Sequence, residues 1–422
     1  MTAPTTGVYA HTMKRPKTPT ALEMGKWLSS VKRSHSMVWR SGSRQWAGEV
    51  LARLLGWCKT IDDPRDGCAL LFQFYQGDDA LFSHCDDSNG DLGDLFRNEA
   101  KALFTRFAKA CPDKDWIAAE LFKLLLDDGY GVRDTLLEGA HAYLPEAALR
   151  SLVERFRVTS ESEPDDLRKR HWLIFVEMLA RELKDPALFE RTRIASWGKL
   201  NPAAHLDIAR IWFDCGDAAA ARKWLDSAPQ GDNFRSDERD DLLILVAAAQ
   251  GDIPARDAAA WRKFRRFRSR EALEVLFATI GSGDRARVLA EETNLILSAP
   301  GMAASDALFL LEMGLADEAE RYLLDRIAQV SGDRYGETIE LANATAQCGK
   351  PLVSTLLFRS LLDSILVNVR RNAYGHGAKY LATLARLARS ITDWRGHPSH
   401  ETYLAELRKR HGIKRAFWAL VK

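Results

Sequence analysis

The sequence is poor in the features that announce an activity or a membrane. Its longest uninterrupted apolar run is the eight residues from Leu242 to Ala249. A membrane-spanning helix needs roughly 20, so no span is expected. The six cysteines (Cys58, Cys68, Cys85, Cys111, Cys215 and Cys348) include no CxxC or CxC pair. That argues against a disulfide framework or a cysteine zinc site and fits a reducing cytoplasm. There is no GxxxxGK[ST], no GxGxxG after a strand, no GxSxG and no HExxH. Phosphate cradles, nucleophile elbows and zinc-protease helices are thereby unsupported, and neither catalysis nor a cofactor is expected. The acidic pairs Asp62–Asp63 and Asp127–Asp128 abut loop prolines or glycines, where Asp is common for backbone reasons. A net charge of +2, from 60 Lys and Arg against 58 Asp and Glu, leaves any charge-driven partner to be met by a local patch.

Helical periodicity is present nearly throughout. In LFRNEAKALFTRFAKA, the residues Leu95, Phe96, Ala100, Leu103, Phe104, Phe107 and Ala108 fall on one face with a period near 3.6. Trp116, Ile117, Leu121, Leu124 and Leu125 repeat the pattern, and no segment alternates long enough to propose a strand. The fold class expected is all-α. Residues 1–25, with three prolines in the first twenty and no apolar stretch, are expected to form a disordered lead. An N-terminal helical domain is expected over 26–158 and a linker over 159–166, where TSESEP is polar and holds Pro164.

From 167 to 422 a repeat is expected. Glycines that close one apolar helix and precede another fall at Gly216, Gly251, Gly281, Gly314 and Gly349, at intervals of 35, 30, 33 and 35 residues. These lie close to the roughly 34-residue period of tetratricopeptide (TPR) repeats. Small residues follow five positions on, at Ala221, Ala286, Ala319 and Ser354, and large ones three further, at Trp224, Leu289, Tyr322 and Leu357. Gly251 fits less well, its alanine and aromatic arriving late at Ala258 and Trp261. A helix pair cannot bury its apolar face alone, so the pattern predicts a TPR-like α-solenoid of stacked pairs.

Charge is unevenly spread. Residues 1–60 carry a local +8 and residues 61–100 a local −8, blocks that can neutralise each other across packed helices. The densest basic run is Trp261 to Arg270, where Arg262, Lys263, Arg265, Arg266, Arg268 and Arg270 interleave with Trp261, Phe264 and Phe267. Such interleaving suits phosphates and unstacked bases. The aromatic spacing i, i+3, i+6 equally suits one buried helical face with the cations solvated opposite, and this structural reading is preferred. From Ile365 to the end, twelve bases face three acids, with Arg408, Lys409, Arg410, Lys414 and Arg415 clustered. Cations near a helix C-terminus are favourable for dipole reasons alone.

Two segments resemble metal sites only briefly. In CDDSNGDLGDL, placing Gly90 at the sixth position of a calcium loop puts Cys85 at the first and Phe96 at the twelfth, so the ligand pattern fails. Capping of a helix–helix turn is the better account. His397 and His400 in HPSH, with His376 and His411, lack the spacing of a zinc set. No metal is expected.

The end of the chain carries a recognisable pattern: Tyr380, Leu381, Leu384, Leu387 and Ala388, then Asp393 and Trp394, then Tyr403, Leu407, Arg408, His411, Lys414, Arg415, Phe417 and Trp418. With DDSNGDLGDL and CGKPLVSTLLFRSLLDSIL upstream, it resembles an uncharacterised bacterial all-α family. It is also similar to the helical region that follows the finger in some SWIM zinc-finger proteins, although the CxC and CxH of that finger are absent here. The resemblance implies a bacterial, helical-repeat protein and transfers no catalytic residue.

Two functional expectations follow. The first is a cytoplasmic helical-repeat scaffold or adaptor that binds a protein or peptide partner. The alternative is a nucleic-acid-associated protein using residues 261–270 and the basic C-terminus, namely Arg262, Lys263, Arg265, Arg266, Arg268, Arg270, Arg408, Lys414 and Arg415. The two differ in whether those cations form one free surface or are paired with acids.

Overall fold

The computed structural model describes residues 17–34, 36–229, 234–281 and 283–421, and among these the fold is all-α. One isolated bridge, Val38 to Cys85, is the extended pairing among the described residues. The chain divides into two compact units between Phe234 and Arg235.

The first unit opens with α1 (Pro19–Arg33), α2 (Ser43–Lys59), α3 (Pro64–Tyr75) and the short α4 (Asp78–Phe82). Next come α5 (Asp91–Leu95), joined through a π-turn over Phe96–Ala100 to α6 (Lys101–Ala110), and α7 (Lys114–Leu125). It closes with α8 (Glu146–Ser162), α9 (Asp166–Glu182), α10 (Pro186–Trp197), α11 (Pro202–Asp214) and α12 (Ala218–Asp226). Its core is aromatic: Phe74 stacks on Phe96 at 4.8 Å, and Phe72 meets Phe104 edge-on at 5.0 Å. Gly67 lets α3 approach the Phe107 ring so closely that a Cβ would fall 2.3 Å from it.

Two boundaries differ from expectation. The lead extends only as far as Lys17 at most, because Thr18 caps α1 by accepting a hydrogen bond from the Ala21 amide, and Met24, Leu28 and Val31 then bury one face. Residues 1–16 lie outside the described residues. The expected 159–166 linker is mostly helix. Thr159, Ser160 and Ser162 return their hydroxyls to carbonyls of α8, as such residues do when helical. Asp165 already caps α9 through the Leu167 and Arg168 amides. Phe156 packs on Phe175 across the join at 5.0 Å, so one core runs through it, and the chain divides some 70 residues later.

The second unit consists of α13 (Ser236–Gln250), α14 (Ile253–Arg266), α15 (Arg270–Ile280), α16 (Arg285–Ser298), α17 (Ala304–Glu312) and α18 (Ala316–Asp325). These are followed by α19 (Tyr335–Gln347), α20 (Pro351–Val367), α21 (Tyr374–Ala388), α22 (His400–His411) and α23 (Arg415–Trp418). Consecutive helices pack as antiparallel hairpins, among them α13 with α14, α17 with α18 and α19 with α20. Ala319, Tyr322, Leu323, Ser354, Leu357 and Phe358 are buried as the repeat pattern requires. At Gly281 the next helix starts later, at Arg285, so Val288 rather than Ala286 is buried. In α14 it is Ala259, Ala260 and Phe264 that turn inward, while Ala258 is exposed.

All five repeat glycines have positive φ, from 71° to 91°. At four of them the next amide donates to the carbonyl five residues back: Asp217 to Trp212, Asp252 to Ala247, Leu315 to Leu310 and Lys350 to Thr345, at 2.8–3.0 Å. This is the Schellman closure, which satisfies carbonyls orphaned at a helix end. A Cβ on these glycines would meet nothing within 4 Å, so the requirement is one of backbone conformation. The same closure recurs without glycine. Lys184 (φ 50°) sits before the Asp185-to-Ala180 bond, and Val369 (φ 52°) before the Arg370-to-Ile365 bond.

A left-handed conformation costs an L-residue about 1–2 kcal/mol. Lys184→Gly and Val369→Gly are therefore each expected to stabilise the fold by about 1 kcal/mol, and Gly314→Ala to destabilise it by a similar amount. Urea unfolding midpoints of the three variants check this; a destabilised Val369→Gly would contradict it.

Candidate functional site

The basic run lies on α14, the turn after it and the first residue of α15. Asp252 starts the helix by accepting from the Ala255 amide, with Pro254 in the first turn. The six cations do not face solvent unpaired. Arg262 donates to Asp240 at 2.8 Å, and Arg266 bonds the other oxygen of Asp240 at 2.7 Å as well as Asp237. Lys263 pairs with Asp241. Arg265 reaches Glu292 Oε1 through Nε at 2.9 Å and Nη2 at 2.5 Å. Arg268 bridges Glu292 Oε2 at 3.1 Å and Asp306 at 2.7 Å. The Arg270 amide donates to Glu312 Oε2 at 2.7 Å, and its guanidinium donates to the Glu312 carbonyl.

Asp240, Glu292 and Asp306 are themselves buried, Glu292 at 1% exposure. The run therefore tacks α14 to α13, α16 and α17. A buried carboxylate left alone would be strongly destabilising, and the arginines answer that demand. The aromatic face follows expectation in part. Phe264 is buried and meets Phe309 at 5.6 Å, and Trp261 is half-buried beneath the Arg265 guanidinium. Phe267 is 64% exposed instead, because α14 ends at Arg266 and Phe267 leaves the helical backbone.

The C-terminal cations behave differently. Arg408 lies 5.7 Å from the Trp418 ring centroid and is exposed, as is Arg415, while Lys414 is half-exposed. Among the described residues, no carboxylate lies within 4 Å of any of the three. The exposed face of α21 adds Lys379 and Arg386, and residues 371–392 contain no acid. The structure thus separates the candidates into a paired set on α14 and a free set on α21–α23.

The acidic turn resolves as capping. Both oxygens of Asp87 accept backbone amides, from Leu92 at 2.8 Å and Gly93 at 2.9 Å, and Gly90 takes φ 80°. Asp63 caps α3 through the Arg65 amide, and Asp128 accepts from the Gly131 and Arg133 amides. Across the charge blocks of the first unit, Lys32 meets Asp79 at 3.6 Å and Arg44 meets Asp91 at 3.4 Å.

One cluster escaped the sequence reading. Arg359, on α20, is 6% exposed, and its guanidinium carbon lies 4.5 Å from the Tyr403 ring centroid and 5.0 Å from that of Trp394. Its Nη1 donates to the Pro398 carbonyl at 2.9 Å, but buried Nε and Nη2 have no partner. Nearby Asp363 is engaged elsewhere, accepting from Tyr403 Oη at 2.9 Å with Arg410 at 4.0 Å. Thr355 Oγ1, one turn earlier on α20, and His400 Nδ1 are also buried without partners, as are both ring nitrogens of His411. Burial, and then the Arg359 charge, hold the His400 imidazole below its ordinary pKa; burial, then Lys414 and Arg410, do the same for His411. An unsatisfied buried donor costs about 1–3 kcal/mol, more when charged. The signal was in hand as Trp394, Tyr403 and His411 of the terminal pattern. What could not be read was that the middle of an apolar helix would bring Arg359 among them.

A family model described as a family of unknown function, DUF6880, matches the chain over residues 12–198 and 194–420. No curated protein matches it. No helix among the described residues is long and apolar enough to cross a membrane.

Removing Arg268 leaves Glu292 and Asp306 buried with one partner fewer each. Arg268→Ala is expected to cost about 3 kcal/mol or more. Lys263→Ala, which opens a half-exposed pair, should cost under about 1 kcal/mol. Equal losses of unfolding free energy in urea would show that the network is not what holds α14 in place.

Proposed function

The chain belongs to the DUF6880 family, and from its architecture we propose that it is a helical-repeat scaffold that binds a protein or peptide partner, in the manner of TPR arrays. The observation that carries this reading is the recurrence of one hairpin device, helix, left-handed turn, helix, at Lys184, Gly216, Gly251, Gly314 and Gly349. Within each unit, packed hairpins present helix faces to solvent, a surface that serves extended or helical peptides. The α14 network supports this by fixing the frame with charges that are then not available to a ligand. A reducing cytoplasm is the compartment that suits six free thiols.

A second reading rests on the free cations of α21–α23, which suit a polyanion such as nucleic acid. It no longer draws on Arg262, Lys263, Arg265, Arg266, Arg268 or Arg270, each of which has an internal partner.

Affinity capture with the full chain, followed by cross-linking, tests the scaffold. A stoichiometric protein partner cross-linked to exposed helix faces is expected, and recovery of the chain alone would count against it. Heparin chromatography tests the second reading. Lys414→Glu with Arg415→Glu should lower the eluting salt, whereas Arg262→Ala should not; no retention of the wild type at low salt would remove that reading.

A further inference from the structure

Three arginines among the described residues are buried: Arg133, Arg326 and Arg359, at 5%, 8% and 6% exposure. Two of them are fully answered. Arg133 forks onto Asp78 through Nε at 2.8 Å and Nη2 at 2.6 Å, and places Nη1 on the Leu124 carbonyl at 3.1 Å. Arg326 spends every guanidinium nitrogen on carbonyls, from Gly301, Tyr322, Leu297 and Ala299. Arg359 is the exception. Its two unpartnered nitrogens, Nε and Nη2, form a single edge of the guanidinium, the same edge that Arg133 gives to a carboxylate.

We propose that this edge is a binding site for a carboxylate, held in bidentate fashion by Arg359 Nε and Nη2 with Thr355 Oγ1 and His400 as neighbouring polar partners. Side chains on a helix lean towards its N-terminus, and residues four apart share a face. Thr355 and Arg359 therefore present their unpaired atoms on one side of α20. The two parallel N–H groups of such an edge match the two oxygens of a carboxylate.

Charge selects the class. Asp363 lies within electrostatic reach of Arg359, but its contacts go to Tyr403 and Arg410, so no carboxylate engages the Nε/Nη2 edge of this buried cation. The imidazoles of His400 and His411 are biased towards the neutral form and add none. A monoanion balances the site; a dianionic phosphate would replace one uncompensated buried charge with another. The edge is sealed from solvent by its surroundings. Entry therefore requires the segment between α21 and α22 to lift. That segment holds half-exposed Trp394, and after it Arg395 and Gly396 with φ of 46° and 80°.

The site stands apart from the scaffold reading, because a chain without any protein partner would still bind. The carboxylate could be a free small acid or the terminus of a peptide, and the test separates them. Sodium acetate is titrated into the full chain against sodium chloride at constant ionic strength, and followed by calorimetry and thermal unfolding. Glycylglycine acetylated at its N-terminus is titrated as the acid and as the amide. Saturable binding of acetate is expected, at least tenfold weaker in Arg359→Lys, which keeps the charge but loses the fork. Binding of the peptide acid with a silent amide assigns the site to peptide termini; acetate binding with neither peptide assigns it to small acids.

Thr355→Val provides a second variant should Arg359→Lys fail to fold, with at least threefold weakening expected. Absence of saturable binding of both acetate and the peptide acid to the wild type would overturn the proposal and leave buried water as the partner. Equal binding of acid and amide, or binding unchanged in the variant that folds, would overturn it as well.

Discussion

A helix can fold back on its successor within a few residues only if its last carbonyls find donors and one residue takes a left-handed backbone. Both units of this protein depend on that constraint. At the Schellman turns the chain solves it in the same way, with an amide donating five residues back. Everything after the turn is then set by it. The next helix starts about two residues on in most cases, capped by Asp185, Asp217 or Asp252 in three of them. Where the connection lengthens, as after Gly281, the buried register moves with it.

This is also why the fold was readable and where it was not. Glycine is the residue that adopts a left-handed backbone at little steric cost, so five turns could be read directly from glycine spacing. The same turn at Lys184 and Val369 carries no such mark, so the glycine series opens at Gly216, one hairpin after the first turn of this kind. Polarity misled in the other direction. Thr159 to Ser162 read as linker because serine and threonine favour loops, yet their hydroxyls can also bond carbonyls of their own helix, which is what they do here. Burial of Phe156 against Phe175 decided the matter, and no local pattern reports a contact between helices.

Charge was legible as composition and illegible as pairing. The six cations from Arg262 to Arg270 were visible at once, but their partners Asp240, Glu292, Asp306 and Glu312 lie 22 to 42 residues away in sequence. A basic run on a buried seam and one on a surface look alike until those partners are placed. Arg359 is the converse case. It sits in a stretch so apolar that its charge drew no notice, and only the contrast with Arg133 and Arg326 makes its unpaired edge stand out.

The seam around α14 has a consequence for how the second unit responds to heat. Hydration of charged groups weakens as temperature rises, so the penalty for keeping ions dry falls, whereas stabilisation by apolar contact levels off. A junction built on Asp240, Glu292 and Asp306 with their arginines therefore gains on its apolar neighbours during warming. The helices α13, α14, α16 and α17 should hold together to higher temperature than the α21–α23 end, where Arg408, Lys414 and Arg415 pair with no carboxylate among the described residues. Melting of this unit is then directional, starting from its C-terminal helices and arriving last at the ion-paired seam.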